Sequence, residues 1–306
     1  MPRVLAAPRQ KLRRRRVLAL AAAAAVPLLL AFAGTAFGSA IAPETGGSPN
    51  ADKIHTLYWA VMIVAIIVFL GVEGALFYSL FKFRARRGAV AAQIRGNTRL
   101  EIGWTVGAAV ILVVLAVVTF IELPGIRNPP NSGPNGLQLA DRVLVAAGPT
   151  KALPPNGKSL NICVNGQQYV WRYTYASNCN NAPLNSVFSY EQMVVPTDTT
   201  VTLDINSQDV AHSWWIPRLG GKFDAIPGYT NHTWFKVPGK LAGTTFTGQC
   251  AELCGRNHAN MIAEVTAMTP DNFEAWLDRQ RAAIRQADQA AARQRQRVQQ
   301  GQAPGG

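Results

Sequence analysis

Two long apolar stretches constrain the fold more than any other feature of this 306-residue chain. The first runs from about residue 58 to 81, and the second from about residue 102 to 121. Each has roughly the 20 apolar residues that an α-helix needs to cross the hydrocarbon core of a bilayer. The sequence therefore predicts a pair of transmembrane helices, within residues 41–121, and a lipid bilayer as their surroundings.

The loop between these stretches indicates how the pair is oriented. It carries six basic residues: Lys82, Arg84, Arg86, Arg87, Arg95 and Arg99. Cytoplasmic loops are enriched in lysine and arginine, so this loop is predicted to be cytoplasmic. The large region that follows, residues 122–270, is then predicted to be a domain facing outward.

The first 40 residues resemble a secretory signal peptide. An arginine cluster at 13–16 precedes an apolar run from residue 17 to about 37, and the small residues Gly38 and Ala40 follow. This order matches a charged segment, an apolar core and a cleavage site. The apolar run is longer than most signal cores, so an uncleaved anchor is the alternative interpretation. Either one leaves the later topology unchanged.

The formal net charge of +13 does not indicate a nucleic-acid partner. Seven basic residues lie in the predicted signal peptide, six lie in the inner loop and six lie between residues 279 and 297. The outward region from 122 to 270 has ten basic and nine acidic residues. The positive charge therefore serves targeting and topology, and the outer domain is nearly neutral.

Beyond residue 160 the pattern predicts an all-β domain. Seven short β-forming runs are separated by turns: 160–164, 169–175, 191–195, 199–205, 230–237, 244–247 and 261–267. Such spacing is typical of a sandwich or barrel. A Pro- and Gly-rich linker with one short strand at 143–145 precedes them. Residues 271–277 predict the start of a helix, and the polar tail to residue 306 is predicted to be partly disordered.

Cys163 and Cys179 flank the second of these runs. The predicted compartment is oxidising, which favours a disulfide between them. Such a bond would close a loop of about 15 residues and add roughly 3 kcal/mol of stability on the loop-entropy model. Two separate buried thiols are the alternative.

The remaining two cysteines belong to a cluster of soft ligands. Cys250, Cys254, His258 and Met261 lie within twelve residues, and His212 provides a second imidazole upstream. Sulfur and imidazole ligands select copper or zinc, and a thioether favours copper. The cysteine spacing is not that of a zinc site, and zinc gives Met261 no role. A single blue copper needs one cysteine, so two cysteines suit two coppers bridged by two thiolates.

The spacing of these residues resembles the binuclear CuA site of cytochrome c oxidase subunit II: His212, Cys250, Glu252, Cys254, His258 and Met261. The resemblance covers nearly the whole chain. It implies a two-helix transmembrane hairpin followed by an all-β, cupredoxin-like Greek-key sandwich or barrel. It also implies bridging cysteines, with the histidines and Met261 as terminal ligands. The carbonyl of Glu252 would complete the copper site, and its carboxylate would bind Mg shared with subunit I.

This resemblance implies an electron-transfer function. The subunit would receive electrons from cytochrome c and pass them to haem in subunit I, where oxygen is reduced, with subunit III as a further partner. The chain has no Cys-x-x-Cys-His motif, so the donor is not expected to be fused to it. The resemblance implies haem only in the partner subunit. The expected location is a bacterial-type cell membrane, which the chain crosses more than once with its copper domain outside.

Three further residues are functional candidates by resemblance. Tyr169 stands where the family usually has its electron-accepting tryptophan, and Trp171 matches a second tryptophan. The alternative for both is ordinary packing on one face of a strand. Glu101 matches the carboxylate at the mouth of the K proton pathway, although an acid favoured by the helix dipole is an adequate alternative.

Three other classes of protein share parts of this pattern. Subunit II of a quinol oxidase has the fold without the copper ligands, which are complete here. A nitrous oxide reductase shares the copper motif but is soluble. A copper chaperone or simple cupredoxin would need neither two bridging cysteines nor Glu252.

Overall fold

A computed structural model of the chain describes residues 41–84, 90, 93–137, 152–179 and 186–300. The predicted signal peptide at 1–40, the predicted strand at 143–145 and part of the basic loop lie outside the described residues. Within these ranges there are three α-helices: α1 Pro49–Lys82, α2 Thr98–Arg127 and α3 Pro270–Gln299. The described residues between α2 and α3 form ten strands: β1 Leu160–Gln167, β2 Val170–Tyr175, β3 Phe188–Tyr190, β4 Gln192–Pro196, β5 Thr200–Ser207, β6 His212–Trp215, β7 Phe223–Ala225, β8 Asn231–Lys236, β9 Thr245–Cys250 and β10 Ile262–Met268.

Helices α1 and α2 are both long and apolar enough to cross a membrane. They contain 34 and 30 residues, which correspond to about 51 and 45 Å at 1.5 Å per residue. Both therefore extend beyond a hydrocarbon core of about 30 Å and are longer than the predicted 58–81 and 102–121. The prediction followed the apolar residues, whereas the helical backbone continues into the polar region at each end.

The outer ends of the two helices are joined to each other and to β8. Lys53 Nζ lies 3.0 Å from Glu122 Oε2, which pairs the start of α1 with the end of α2. The indole of Trp234 donates to the carbonyl of Ile126 at 2.9 Å. The side-chain amide of Asn50 donates to the carbonyl of Trp234 at 2.8 Å. Strand β8 therefore holds both helices of an antiparallel hairpin.

The outer domain is a sandwich of two five-stranded sheets, which confirms the predicted cupredoxin-like class. The strand orders are β3-β2-β1-β5-β8 and β4-β10-β9-β6-β7. The β1–β5 and β10–β4 pairs are parallel, and the other pairs are antiparallel. All seven predicted strands are present. Strands β3, β6 and β7 were missed because three or four residues are too few to display an alternating pattern.

The second sheet also positions His212. It is the first residue of β6. β6 pairs with β9, and Trp214 lies opposite Cys250 in that pairing. His212 is therefore placed by the same sheet that carries the cysteine loop.

Helix α3 packs against the sandwich and continues beyond it. Phe273 is fully buried and Leu277 nearly so, and the ring of Phe273 lies 6.1 Å from that of Tyr175. The helix that was predicted to start at 271–277 is continuous to Gln299. Alanine, glutamine and arginine are strong helix formers, which explains why a segment without a core-forming face remains helical.

Cys163 and Cys179 form a disulfide in the structure. It joins β1 to the segment that follows β2, across 16 positions of sequence. The alternative of two separate buried thiols is therefore wrong.

Candidate metal centre

Three segments meet at one end of the second sheet. Cys250 is the last residue of β9, and Met261 immediately precedes β10. The backbone N–H of Cys250 donates to the carbonyl of Met261 at 2.9 Å, which closes the loop between them. His212 enters from β6. The hydrogen-bonded strand ends therefore bring together side chains from distant parts of the sequence.

The donor atoms lie close together and are buried. Cys250 Sγ is 3.8 Å from Cys254 Sγ and 3.8 Å from His212 Nδ1. Cys254 Sγ is 3.5 Å from His258 Nδ1 and 3.8 Å from Met261 Sδ. The cysteines, Met261 and His212 are each no more than 3% exposed, and His258 is half-buried.

The two histidines approach different sulfurs. His212, Cys250 and Cys254 form a compact group whose donor atoms all lie within 4.8 Å of one another. His258 is not in that group and lies next to Cys254 instead. Metal–thiolate bonds of about 2.3 Å allow two sulfurs 3.8 Å apart to share an ion. The arrangement can therefore hold a metal between the two sulfurs, with an imidazole available on each of them.

Loss of the thiol protons is coupled to the binding of a cation at the sulfur pair. Burial, followed by the adjacent Cys250 thiol, raises the pKa of Cys254 to about 11. Two neighbouring buried thiols lose their protons readily only when a cation compensates the charge. Thiolate, imidazole and thioether donors are the set that suits copper. The residues present therefore fit a copper centre.

Two residues that are not donors of the site, Asp209 and Gln168, connect His212 to the loop that carries Cys254. Asp209 Oδ1 lies 2.9 Å from His212 Nε2, and its Oδ2 accepts from the Gln168 backbone N–H at 2.7 Å. The Gln168 side chain donates to the carbonyl of Cys254 at 2.6 Å. Burial opposes ionisation of Asp209, but hydrogen bonds from the Gln168 and Val210 N–H groups and from His212 outweigh it and lower its pKa to about 2.

The sequence analysis assigned no role at the metal site to Asp209 or to Gln168. The three-residue spacing from Asp209 to His212 was a usable signal, because a carboxylate commonly orients a metal-binding imidazole. Gln168 had no comparable local signal, because its partner Cys254 is 86 positions away.

Comparison with known proteins identifies the family of the chain. The family model "Cytochrome C oxidase subunit II, transmembrane domain" matches residues 39–121, and the model of the periplasmic domain matches residues 176–268. Cytochrome c oxidase subunit 2 of Alkalihalophilus pseudofirmus is 32% identical over 255 residues, covering 82% of this chain and 65% of that protein. The Bacillus subtilis protein of the same name is 30% identical over 263 residues, covering 83% of this chain and 65% of that protein.

The chain belongs to the cytochrome c oxidase subunit II family. It spans about two thirds of the length of these two relatives, 65% in each case. The solved periplasmic domain of subunit II of cytochrome oxidase from Bradyrhizobium japonicum is 30% identical, with a TM-score of 0.36, and covers 41% of this chain and 95% of that domain. As in other subunit II proteins, a membrane hairpin carries the outer domain.

The two aromatic candidates of this subunit II differ in accessibility. Trp171 is fully buried, and its ring meets the edge of the His212 imidazole at 5.8 Å between centroids. Tyr169 is half-buried next to Gly255, where a Cβ would lie 2.6 Å from its hydroxyl. Gly255 has φ +132°, a conformation that a side chain would strain. Tyr169 thus lies against the ligand loop near the surface, whereas Trp171 lies in the interior.

The two candidate carboxylates lie apart from the donor cluster. The backbone carbonyl of Glu252 is 3.2 Å from Cys250 Sγ, while the residue itself is exposed.

Glu101 lies in the first turn of α2, at the end opposite the outer domain. Its carboxylate accepts from the Asn97 backbone N–H at 3.3 Å, and the Asn97 side chain caps Leu100 N–H at 3.2 Å. Capping thus accounts for Glu101 structurally, and its proton-pathway role stays a prediction.

Proposed function

We propose that this chain is the electron-accepting subunit of a cytochrome c oxidase, with a binuclear CuA centre in its outer domain. It receives electrons from cytochrome c at the outer face of a bacterial-type cell membrane and passes them to haem in subunit I. The observation that carries the proposal is the sulfur pair, 3.8 Å apart, with His212 next to Cys250 and His258 next to Cys254. The chain alone does not reduce oxygen.

Each residue has a distinct part in this proposal. Cys250, Cys254, His212, His258 and Met261 would hold the copper through their side chains, and Glu252 would hold it through its backbone carbonyl. When bound, the two coppers would supply a one-electron redox centre in which the charge is shared between both ions. The buried surroundings exclude water, and the packed loop limits movement of the ligands, which favours fast electron transfer.

Tyr169 is proposed as the residue through which electrons arrive. Its partial exposure and its position against Gly255 support this role, because the ligand Cys254 directly precedes Gly255. Trp171 is too deeply buried to contact a donor, so its proposed part is to pack against His212. The near-neutral outer region predicts weak electrostatic steering of the donor and a modest dependence of association on salt.

The partner subunits are part of the same proposal. The exposed position of Glu252 next to the cluster is compatible with a carboxylate that binds Mg at the interface with subunit I. Glu101 would deliver protons towards that subunit from the inner side of the membrane. Subunit III is a further proposed partner, and haem belongs to subunit I.

Electron paramagnetic resonance of the copper-loaded full chain in detergent tests the metal centre. Two equivalent copper nuclei that share one unpaired electron produce a seven-line hyperfine pattern, whereas a single copper produces four lines. We expect seven lines in the wild type and their loss in Cys250→Ser. The matched control is the double variant Cys163→Ala, Cys179→Ala, which removes the other two cysteines and should keep the seven lines. A four-line wild-type spectrum, or stoichiometric zinc, would reject the proposal.

A further inference from the structure

A cavity of about 160 Å³ lies where the outer end of α2 meets the β domain. Its walls come from Ile126 and Arg127 of α2, Phe223 of β7 and residues 232–234 of β8, with Ala152 at one side. The described lining residues include an arginine, a histidine and a threonine but no carboxylate. The cavity is separate from the copper ligands and has no part in the function proposed above.

Hydrogen bonds hold the walls of this cavity in place. The Trp234 indole fixes the last turn of α2 by donating to the Ile126 carbonyl at 2.9 Å. His232 Nδ1 lies 2.7 Å from Asp204 Oδ1, which fixes the orientation of the imidazole. Asp204 in turn accepts from the Asn161 side chain at 3.1 Å, which offsets part of its charge. The site is therefore organised before any ligand binds.

The chemistry of the lining suits a phosphoryl group. The Arg127 guanidinium carries a permanent charge and has a planar set of donors that matches phosphate oxygens. The His232 ring, whose side chain is 23% exposed, can add a hydrogen bond. Ile126, Phe223 and Trp234 supply apolar and aromatic surface beside these polar groups. A ligand with both a phosphate and an apolar portion fits such a lining.

The position of Arg127 along α2 identifies where that phosphate comes from. The apolar part of the helix ends at about residue 121, and Arg127 lies about 9 Å further along the axis at 1.5 Å per residue. The headgroup layer extends roughly 5–8 Å beyond the hydrocarbon core on each side. Tryptophan is enriched at the membrane–water interface, and Trp234 would lie at this level. Arg127 thus lies at the outer margin of that layer, and its long side chain can extend back towards the outer-leaflet phosphates.

We propose that this cavity binds the phosphate of an anionic phospholipid of the outer leaflet, held by Arg127 and His232. A bound headgroup bridges α2 and β8 and so stabilises the joint between the membrane hairpin and the outer domain. The competing occupant is a carboxylate of a partner subunit, which carries negative charge as the lipid phosphate does. The experiments below distinguish the carboxylate from the lipid.

Native mass spectrometry of the full chain in detergent, titrated with phosphatidylglycerol, tests this proposal. We expect one tightly held lipid in the wild type and about tenfold weaker binding in Arg127→Gln and in His232→Gln, since each removes a charge-assisted or directed hydrogen bond. Arg99→Gln is the matched control, because it removes an arginine at the inner end of the same helix. Equal weakening in Arg99→Gln would mean non-specific attraction and would overturn the proposal.

Two further experiments separate loss of the binding site from changes in folding and identify the source of the phosphate. Ala152→Phe fills the cavity without altering its charge and should also release the lipid, while thermal unfolding of the variant remains close to that of the wild type. Inorganic phosphate at millimolar concentration should leave the lipid bound; displacement by it would identify a soluble anion as the ligand and reject the lipid. Unchanged lipid binding in all three cavity variants, or a crosslink from Arg127 to a carboxylate of subunit I in the assembled oxidase, would also reject it.

Discussion

The carboxylate of Asp209 lies 2.9 Å from Nε2 of His212, while Nδ1 of the same ring faces Cys250 Sγ at 3.8 Å. One ring nitrogen is therefore engaged by a carboxylate and the other is directed to the sulfur pair. This arrangement fixes both the tautomer and the orientation of a metal-binding imidazole. Replacing Asp209 with Asn should lower copper affinity by about 10- to 100-fold, as measured by competition with a chelator.

The control for Asp209→Asn is Asp224→Asn. Asp224 is an exposed carboxylate on β7, opposite Ser213 in the neighbouring strand, and it should tolerate the change with little effect on copper binding. Equal copper affinity in Asp209→Asn and wild type would show that the Asp209–His212 contact does not position the ligand.

Gly255 should not tolerate a side chain. Its φ of +132° is essentially restricted to glycine, and an added Cβ would lie 2.6 Å from the Tyr169 hydroxyl and 2.8 Å from the Gln168 amide. We expect Gly255→Ala to lower the free energy of unfolding by about 1–3 kcal/mol in denaturant titrations of the copper-free chain. Gly228→Ala is the comparison, because Gly228 has φ +76° but open space around it. A smaller loss at Gly255 than at Gly228 would contradict the packing argument.

The Cys163–Cys179 disulfide should stabilise the outer domain. Replacing both cysteines with alanine should lower the free energy of unfolding by about 3 kcal/mol, because a loop of this length is no longer closed in the unfolded chain. Thermal unfolding of the copper-free chain measures the loss. Reductant should destabilise the wild type by a similar amount and leave the double variant unchanged. If reductant also destabilised the double variant, the loss of stability would have to be assigned to groups other than this disulfide.

Glu101→Gln separates helix capping from proton transfer. The amide oxygen of glutamine can still accept from the Asn97 N–H, so helix α2 should remain stable. The ionisable carboxylate is lost, so turnover and proton uptake of the assembled oxidase should fall if Glu101 serves the K pathway. Arg99→Gln, two residues away in the same turn, controls for local charge. Undiminished turnover and proton uptake would leave Glu101 with the capping role alone.

Several features of this chain were predictable because their determinants are local. Seven strands displayed enough alternation to be recognised, and the ligand loop could be described from the spacing of Cys250 to Met261. The limits of α1 and α2 were placed too short because apolar composition marks the hydrocarbon segment only. The tail was predicted to be partly disordered because it lacks a core-forming face, although its helix-forming residues keep it helical to Gln299.

By itself, the sequence determined the membrane hairpin, the β class of the outer domain and the soft donor set, since each follows from composition or from short spacing along the chain. The tertiary structure decided that His212 approaches the cysteines from a paired strand, that Asp209 and Gln168 brace the ligand loop, and that Trp234 joins both membrane helices to β8. It also placed the cavity beside Arg127. These relationships depend on strand register between residues far apart in sequence, which no local pattern specifies.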